Sequence, residues 1–305
     1  MQRMPPGGLE MISSRFFDLL HSGKPVVLDG ATGTNLQARG LPTGTPSDVW
    51  VLDNPAEVIR LHHDFITAGA EVILTNTFGS SRLHLAHAGL DARFEETNRT
   101  AVALARQAAA GSEVLVAGSL GPLGEMLEPA GTLSAETAAQ VYAEQARLLA
   151  EAGVDLLVIE TQFDLNEALA AVRGVKSVTD LPLVCSFSYD RGTRTMMGLR
   201  PAQAAQALAG AGLAAIGINC GRSLEDNRRA LDELRAATDL PIWFKPNAGL
   251  PHSDAEGRMI YDVTPAMMGE QVAGWVAGGA VLVGGCCGTS PEHLRAIAEA
   301  VRKVA

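Results

Sequence analysis

Residues 280–288 read Ala-Val-Leu-Val-Gly-Gly-Cys-Cys-Gly, four apolar residues followed at once by glycines and two adjacent cysteines. A short run of Ala, Val and Leu is typical of a β-strand that is buried on both faces. Residues 291–304 then show the apolar periodicity of an amphipathic helix. This segment therefore predicts one unit made of a strand, a loop and a helix.

The same unit occurs seven more times in the chain. The predicted strands are Pro25–Leu28, Glu71–Thr75, Val114–Ala117, Asp155–Ile159, Leu183–Phe187, Ala214–Ile218, Ile242–Phe244 and Ala280–Val283. The predicted helices are Pro55–Ala68, Phe94–Ala110, Ser134–Ala152, Leu165–Ser177, Pro201–Ala209, Leu224–Ala237, Pro265–Ala277 and Pro291–Val304. Eight such units in one order predict an α/β fold, a single (β/α)8 TIM barrel. An open doubly wound sheet is the alternative, but residues 29–34, DGATGT, lack the Gly-x-Gly-x-x-Gly spacing of that fold.

Length and composition favour one domain. The chain has 305 residues, of which 47% are hydrophobic and 19% charged, and this excludes a disordered chain. Residues 1–13 hold Pro5 and Pro6 but no apolar stretch of a signal peptide, so we expect a flexible tail there, with Met11 as a candidate start. A single barrel domain is expected over residues 14–305.

Charge and apolar pattern argue against two classes of partner. Lys and Arg number 24 and Asp and Glu 34, a net charge of −10 with no basic stripe, which argues against nucleic-acid binding. No apolar run reaches the roughly 18 residues needed to span a bilayer, so no membrane partner is expected. Four cysteines without an export signal predict a protein of the reducing cytoplasm. A homo-oligomer is compatible with the sequence, which favours no particular oligomeric state.

The predicted strands end in small or polar residues. Because the C-terminal ends of barrel strands converge on one face, a functional site is expected there. The residues concerned are Asp29, Gly30 and Ala31 after the first strand, Thr75, Asn76, Thr77 and Phe78 at the second, Ser119 after the third, Glu160 after the fourth, Asn219 and Cys220 after the sixth, Asn247 after the seventh, and Cys286 and Cys287 after the eighth.

Three of the four cysteines lie at these strand ends. Strand ends of a small barrel approach one another across its mouth, so Cys220, Cys286 and Cys287 are expected to meet, and three soft sulfur ligands suit Zn²⁺. Three protein ligands leave a fourth position open, the pattern of a catalytic zinc site. Such a site fits a thiol held as a thiolate, which is a nucleophile toward an activated methyl group. Cys185 lies within the fifth strand and is expected in the core.

Seven motifs carry a resemblance to a known family. They are LDGATGTNLQ (28–37), HHDFITAGAEVILTNTFG (62–79), GSLGPLGE (118–125), IETQFD (159–164), INCG (218–221), PNAGLP (246–251) and GGCCGTSPEHL (284–294). Together they resemble the homocysteine S-methyltransferase family, which includes the homocysteine-binding domain of cobalamin-dependent methionine synthase and bacterial betaine–homocysteine methyltransferases. The resemblance runs from Val26 to Val301. It implies a zinc-dependent thiol S-methyltransferase that methylates homocysteine and serves methionine biosynthesis.

The resemblance also implies roles for the strand-end residues. The three cysteines would bind zinc and so activate the substrate thiolate. Glu160 would hold the substrate ammonium with Asp29 nearby, and residues 30–31 and 75–77 would offer donors to its carboxylate. The expected substrate-binding residues are Asp29, Gly30, Ala31, Thr75, Asn76, Thr77, Ser119, Glu160 and Asn219, and the candidates on the donor side are Trp50, Phe78 and Asn247.

The family divides by methyl donor. Residues 75–79, TNTFG, and 246–251 resemble most the methionine synthase domain, which implies methylcobalamin or 5-methyltetrahydrofolate as donor. Because the chain ends at Ala305, we expect a separate corrinoid protein to dock at the barrel mouth. Betaine is the alternative, with Trp50 placed as in betaine enzymes, although Gly79 and Thr161 stand where animal betaine enzymes carry tyrosines. S-methylmethionine is a further alternative donor.

Two other classes of function remain open. A zinc hydrolase would more often use His or carboxylate ligands than three thiolates, and the histidines of this chain are expected on the surface or in helix packing. A non-catalytic homocysteine-binding module is the other, and a complete ligand set together with Glu160 argues against it.

Overall fold

The computed structural model describes residues 15–253 and 259–304. The predicted tail over residues 1–13, with Met11, lies outside the described residues.

Eight parallel strands form one sheet that closes almost completely on itself. The strands are β1 Val26–Val27, β2 Val72–Leu74, β3 Leu115–Leu120, β4 Leu156–Gln162, β5 Leu183–Phe187, β6 Ala215–Cys220, β7 Ile242–Pro246 and β10 Ala280–Val283. Their order in the sheet is β1, β10, β7, β6, β5, β4, β3, β2. At the two ends of this order Leu28 pairs with Val72, and the Asp29 amide donates to the Val72 carbonyl oxygen at 3.1 Å. The predicted TIM barrel is confirmed, and the alternative of an open sheet is wrong.

Eight helices follow these strands around the barrel. They are α4 Pro55–Ala68, α6 Phe94–Ala108, α7 Ala135–Ala152, α8 Leu165–Lys176, α9 Pro201–Leu208, α10 Leu224–Arg235, α11 Pro265–Ala277 and α12 Pro291–Val304. Three of the four helices that begin with proline, those starting at positions 55, 265 and 291, match the prediction at both ends. The other five are one or two residues shorter than predicted. In α7 the predicted first residue, Ser134, is the N-cap, and in the other four the alanine or serine residues at the C-terminal end carry no stop signal.

Shorter elements connect these units, and the sequence did not predict them because two to seven residues are too few to show a period. The helices among them are α1, whose described part is residues 15–21, α2 Thr32–Ala38, α3 Trp50–Asp53 and α5 Arg82–His87. Two 3-10 turns cover Ser47–Val49 and Asp91–Arg93. Strands β8 His252–Ser253 and β9 Met259–Ile260 pair antiparallel after β7.

Local chemistry accounts for the helix ends. Pro55 starts α4, where its missing N–H breaks no helical hydrogen bond, and Gly69 ends the helix with φ of 113°, a left-handed conformation that favours glycine. The Ser134 hydroxyl caps α7 by accepting from the Thr137 amide. Asn54 occupies the N-cap position of α4, but its side chain makes no capping hydrogen bond.

The barrel interior changes from apolar to polar along each strand. Side chains of a strand alternate between its two faces, so Leu156, Val158 and Glu160 of β4 share the inner face. The apolar layers of the interior consist of Val26, Leu28, Val72, Leu74, Leu115, Ala117, Leu156, Val158, Val184, Ala215, Trp243 and Leu282. Above them, at the C-terminal strand ends, lies the polar layer of Ser119, Glu160, Ser186, Asn219 and Lys245, all buried. The fold thus places a buried polar surface beneath the barrel mouth. Among the described residues, no helix is both long and apolar enough to cross a membrane.

Candidate metal and substrate site

Three cysteines converge above the polar layer. Cys220 is the last residue of β6, and Cys286 and Cys287 follow β10. Their sulfur atoms all lie within 4.8 Å of one another, and the Sγ atoms of Cys220 and Cys286 are 3.1 Å apart. The structure therefore brings together the three cysteines that the sequence singled out. Their donor set, three sulfurs at one point, fits the ligand preference of zinc.

Backbone hydrogen bonds from the loop after β7 hold both cysteine segments. The Asn247 amide donates to the Cys220 carbonyl oxygen at 3.1 Å, and the Ala248 amide donates to that of Cys287 at 2.9 Å. The Cys286 amide donates to the Pro246 carbonyl oxygen at 2.9 Å. Residues 246–248 therefore fix the two cysteine segments relative to each other.

Cys220 itself has a strained backbone. Its φ is 59°, in the left-handed region that non-glycine residues rarely adopt, and Thr161 is the other such residue with φ of 61° among the described residues. Both residues belong to the barrel mouth. The Asn227 side-chain amide donates to the Cys220 carbonyl oxygen at 2.8 Å and so supports the turn.

Asn219 links the cysteines to the neighbouring strands. Its amide nitrogen donates to the Thr161 hydroxyl at 2.6 Å and approaches the sulfurs of Cys220 and Cys286 at 3.7 and 3.8 Å. Its oxygen accepts from the Thr161 amide at 2.8 Å and from the Ser186 hydroxyl at 2.7 Å. Asn219 is buried and lies beside the sulfurs, which is the position of a support for metal ligands.

The thiols affect one another's protonation. Hydrogen bonds from Cys220 and Cys287, aided by the charge of Lys245, hold the pKa of Cys286 well below its usual range. The hydrogen bonds to Cys286 and Cys287, together with burial, raise the pKa of Cys220. These contacts favour the ionised form of Cys286 and the protonated form of Cys220.

A cavity of about 430 Å³ opens beside the cysteines. Of the predicted site residues, the ones that line it are Gly30, Ala31, Thr75, Asn76, Phe78, Ser119, Glu160, Cys220, Cys286 and Cys287. Asp29, Thr77 and Asn219 are buried next to it without lining it. The cavity has the size of a small-molecule site, and it combines sulfur, carboxylate and ammonium groups.

Glu160 is the carboxylate of this cavity. Its Oε1 accepts from the Ser119 hydroxyl at 2.5 Å. Burial raises the pKa of Glu160 to about 7, against the opposing charge of Lys245. The group therefore changes charge near neutral pH, at a position where it faces the cavity.

Asp29 and Lys245 form a buried ion pair at the cavity wall, to which Lys245 contributes. The Lys245 Nζ lies 2.5 Å from the Asp29 Oδ1, and the other oxygen of Asp29 accepts from the Leu74 amide at 2.7 Å. Burial works against the charged form of Lys245, but Asp29 and Glu160 outweigh it and raise the pKa of the lysine. The pair joins the ends of β1 and β7.

Hydroxyl groups between β2 and β3 form a network of their own. The hydroxyls of Thr75 and Thr77 are 2.7 Å apart, and the Thr77 hydroxyl donates to the Ser119 carbonyl oxygen at 2.8 Å. The Ser119 amide donates to the Thr75 hydroxyl at 3.1 Å. The Asn76 side chain donates to the Ser47 carbonyl oxygen at 2.8 Å and accepts from the Ser47 hydroxyl at 3.0 Å.

The three candidates for the donor side lie in different surroundings. Phe78 lines the cavity and is 38% exposed. Trp50 is half-buried against the hydrophobic core of the outer layer and does not line the cavity. Asn247 is buried and donates from its side-chain nitrogen to the Gly221 carbonyl oxygen at 2.9 Å. The structure thus brings only Phe78 of these three to the cavity wall.

Sequence reasoning assigned no role to Lys245, although it is buried, charged and part of the cavity wall. The signal was present, because residues 242–246, Ile-Trp-Phe-Lys-Pro, place a lysine inside an apolar strand. Buried lysines are rare unless they are paired. Thr161 and Ser47 also line the cavity, and their short polar side chains gave no distinguishing pattern.

The chain is similar in sequence and in fold to proteins of known activity. The sequence profile of homocysteine S-methyltransferase matches residues 26–301. The homocysteine methyltransferase MmuM from Escherichia coli, in its metallated form, has 28% identity and a TM-score of 0.80, over 93% of this chain and 99% of that chain. Its oxidized form has 28% identity and a TM-score of 0.77, over 93% and 98%. The carboxyl transferase domain of Rhizobium etli pyruvate carboxylase, at 15% identity and a TM-score of 0.55 over 97% of this chain and 51% of that chain, shares the fold alone.

Proposed function

Because the chain belongs to the homocysteine S-methyltransferase family and is a methyltransferase, we propose that it methylates the thiol of homocysteine and forms methionine. The observation that carries this proposal is the convergence of three thiols on a cavity that also holds a buried carboxylate. The thiols suit a metal-held sulfur, and the carboxylate suits the ammonium of an amino acid. Both ends of homocysteine therefore have a complementary group.

Cys220, Cys286 and Cys287 are the residues that would hold zinc. The donor set supports this assignment, since the cluster found among the described residues offers three thiols and leaves room for one more sulfur. When bound, zinc would lower the pKa of the acceptor thiol and keep it as a thiolate at neutral pH. Asn219 supports the ligands by directing its amide nitrogen toward the sulfurs of Cys220 and Cys286.

The residues of the cavity wall would orient the acceptor. Glu160 receives the ammonium, and Ser119 holds the carboxylate of Glu160 in place through its hydroxyl. Gly30, Ala31 and the loop of Thr75 and Asn76 form the wall around the amino-acid end. Binding the acceptor at both ends orients its sulfur toward the methyl donor and so lowers the entropic part of the activation barrier.

The transfer is a single displacement. The thiolate sulfur supplies an electron pair to the methyl carbon, and the bond from that carbon to the donor breaks with its pair moving to the donor. The thiol proton has already left, so no general base is needed at this step. Catalysis then consists of positioning and of activation of the sulfur.

For the donor, we propose methylcobalamin or 5-methyltetrahydrofolate acting through a separate corrinoid partner. Phe78 is the one aromatic residue that lines the cavity within the described part of the chain. A quaternary ammonium such as betaine is usually held by several aromatic rings, so a single phenylalanine favours a donor of another kind. Betaine and S-methylmethionine are the donors that the experiment must test against it.

The test supplies zinc-loaded, reduced protein with homocysteine and one donor at a time: free methylcobalamin, betaine or S-methylmethionine. Methionine is measured by mass spectrometry and bound zinc by elemental analysis. We expect methionine from methylcobalamin and a loss of at least about a thousandfold in Cys286→Ala, because metal activation contributes several kcal/mol.

The matched control is Cys185→Ala, which removes a buried thiol outside the site and should keep both zinc and activity. Methionine from none of the three donors by zinc-loaded protein would overturn the proposed function. Methionine from betaine or S-methylmethionine alone would overturn only the corrinoid donor.

A further inference from the structure

Strand β6 leads into two consecutive residues with a left-handed backbone. Cys220 has φ of 59°, and Gly221 has φ of 78°. Glycine adopts this conformation at little cost, whereas a residue with a side chain loses free energy in it. Such a residue keeps the conformation only where neighbouring groups hold it. The backbone of Cys220 therefore has both a structural consequence and a support.

The alternation of side chains along β6 shows the consequence. Ala215 belongs to the apolar layers of the barrel interior, and Ile218 packs in the outer core. Asn219 then faces the interior, so an extended Cys220 would point away from the barrel axis. Cys220 instead lines the cavity, and its Sγ lies 3.1 Å from that of Cys286. The left-handed turn thus directs the thiol to the barrel mouth.

The same arrangement occurs at the end of β4. Glu160 faces the interior, and the next residue, Thr161, has φ of 61° and also lines the cavity. The Asn219 side chain accepts from the Thr161 amide at 2.8 Å and donates to its hydroxyl at 2.6 Å. A buried asparagine therefore holds the left-handed residue at this strand end.

Asn227 of α10 is the buried asparagine beside Cys220. Its side-chain nitrogen donates to the Cys220 carbonyl oxygen at 2.8 Å, and the residue is fully buried. Its amide group also lies against Gly221, so closely that a Cβ at position 221 would overlap the side-chain oxygen of Asn227. The Cys220 carbonyl accepts from the Asn247 backbone amide as well, a bond that does not depend on the side chain at 247. Asn227 thus supplies the side-chain support of the turn.

We propose that Asn227 is a positioning residue that fixes the left-handed turn and so holds the Cys220 sulfur as a ligand of the metal. The inference rests on the zinc site of the proposed function and adds to it a residue outside the cavity wall. Without the hydrogen bond from Asn227, the turn relaxes toward the extended conformation. The thiol of Cys220 then turns away from Cys286 and Cys287, and two sulfur ligands remain.

The test measures zinc binding without homocysteine or methyl donor. Competition with a chromophoric chelator gives the dissociation constant, and X-ray absorption counts the sulfur ligands of the bound zinc. In Asn227→Ala we expect the affinity for zinc to fall about 10- to 100-fold, as when a group that orients a metal ligand is removed, and the sulfur count to fall from three to two.

The matched control is Asn98→Ala. Asn98 is also a fully buried asparagine of a helix, and its side chain donates to the carbonyl oxygens of Ser80 and Phe94 rather than to that of a cysteine. This variant should keep the wild-type affinity for zinc and three sulfur ligands, even where its stability falls.

A second variant, Asn227→Leu, guards against a folding effect. Among the described residues the side-chain oxygen of Asn227 is buried without a hydrogen-bond partner, so an apolar side chain of similar size removes an unsatisfied group. We expect the urea midpoint of the metal-free protein to stay at or above that of wild type while zinc binding weakens as in Asn227→Ala. A purely structural role would lower the two together.

Three sulfur ligands and wild-type affinity in folded Asn227→Leu would overturn the inference, and so would an equal loss of affinity in folded Asn98→Ala. Fewer than three sulfur ligands in wild type would overturn the proposed zinc site together with it. Because no acceptor or donor is present, a failure of methyl transfer cannot imitate any of these results.

Discussion

The apolar layers and the polar layer of the barrel interior lie on the same strands, two residues apart. The apolar layers stabilise the fold, whereas the polar layer forms the candidate site. On β4, Leu156 and Val158 are fully buried in the apolar layers, and Glu160 is buried in the polar layer. Burial of the two apolar side chains stabilises the folded state. Burial of Glu160 disfavours its ionised form and so raises the pKa of its carboxyl group. The apolar layers therefore stabilise the fold, and this stabilisation offsets the cost of burying the charged and polar groups of the polar layer.

The same contrast recurs on β7, where Trp243 belongs to the apolar layers and Lys245 to the polar layer. Because every second side chain of a strand faces the barrel interior, one strand can contribute residues to the apolar layers and to the polar layer. Substitutions in the two layers should therefore separate stability from activity.

The largest expected effect comes from the apolar layers. Leu156→Ala should lower the free energy of unfolding by about 3 kcal/mol, because it removes buried methyl groups and leaves a cavity. Urea-induced unfolding measures the change, and activity of the folded protein at low temperature should stay near that of wild type.

Glu160→Gln is the matched variant of the polar layer on the same strand. It removes a desolvated charge, so we expect the free energy of unfolding to stay within about 1 kcal/mol of wild type while methyl transfer to homocysteine falls. A large loss of stability in Glu160→Gln, or a loss of activity in folded Leu156→Ala, would break the division between the layers.

The second effect is a pH dependence of the polar layer. In the proposed function the ionised form of Glu160 receives the ammonium, and burial raises the pKa of this carboxyl group to about 7. As pH falls through 7 the carboxyl group takes up a proton, so kcat/KM for homocysteine should fall by about tenfold per pH unit, to about a hundredth at pH 5. Initial rates between pH 5 and 8.5 measure this decrease in kcat/KM.

The control for this decrease in rate is 4-mercaptobutanoate, which is homocysteine without the ammonium group that Glu160 would receive. Its rate should not follow the Glu160 titration, and neither should the residual rate of Glu160→Gln. If the rate of Glu160→Gln fell with the same midpoint pH, the titrating group would be a residue other than Glu160.

The smallest effect concerns a buried polar group outside both layers. His62 of α4 is 1% exposed, and its ring nitrogens have no hydrogen-bond partner among the described residues. Burial, with the charge of His63, lowers the pKa of His62 to about 4 from an ordinary value of 6.5. Between these values the unfolded chain binds the proton and the folded chain does not, so stability falls as pH drops from 6.5 toward 4.

His62→Leu should remove this dependence. At pH 5 the wild type is expected to have lost about 2 kcal/mol that the variant keeps, since each pH unit between the two pKa values corresponds to about 1.36 kcal/mol. Urea unfolding at pH 7.5 and pH 5 measures the difference between the two proteins. An equal loss in both would show that His62 binds a proton in the folded state as readily as in the unfolded one.

Much of the fold could be predicted from the sequence because the buried strands and amphipathic helices are local patterns. Three helices that start with proline, such as Pro265–Ala277, were predicted to the residue. Helix ends at alanines and the short elements α2, α3 and α5 were missed, since a few residues without a stop signal show no period. The cysteines of the candidate site were found because they follow two apolar runs, and the barrel rule then placed them at one face.

The sequence by itself determined the order of strands and helices, the layer of each inner residue through its position in the strand, and the cysteines that could meet. Only the tertiary structure decided the partners: that Lys245 of β7 pairs with Asp29 of β1 and that Ser119 pairs with Glu160. The physical reason is that periodicity is set by neighbours along the chain, whereas an ion pair between residues 216 positions apart depends on how the sheet closes.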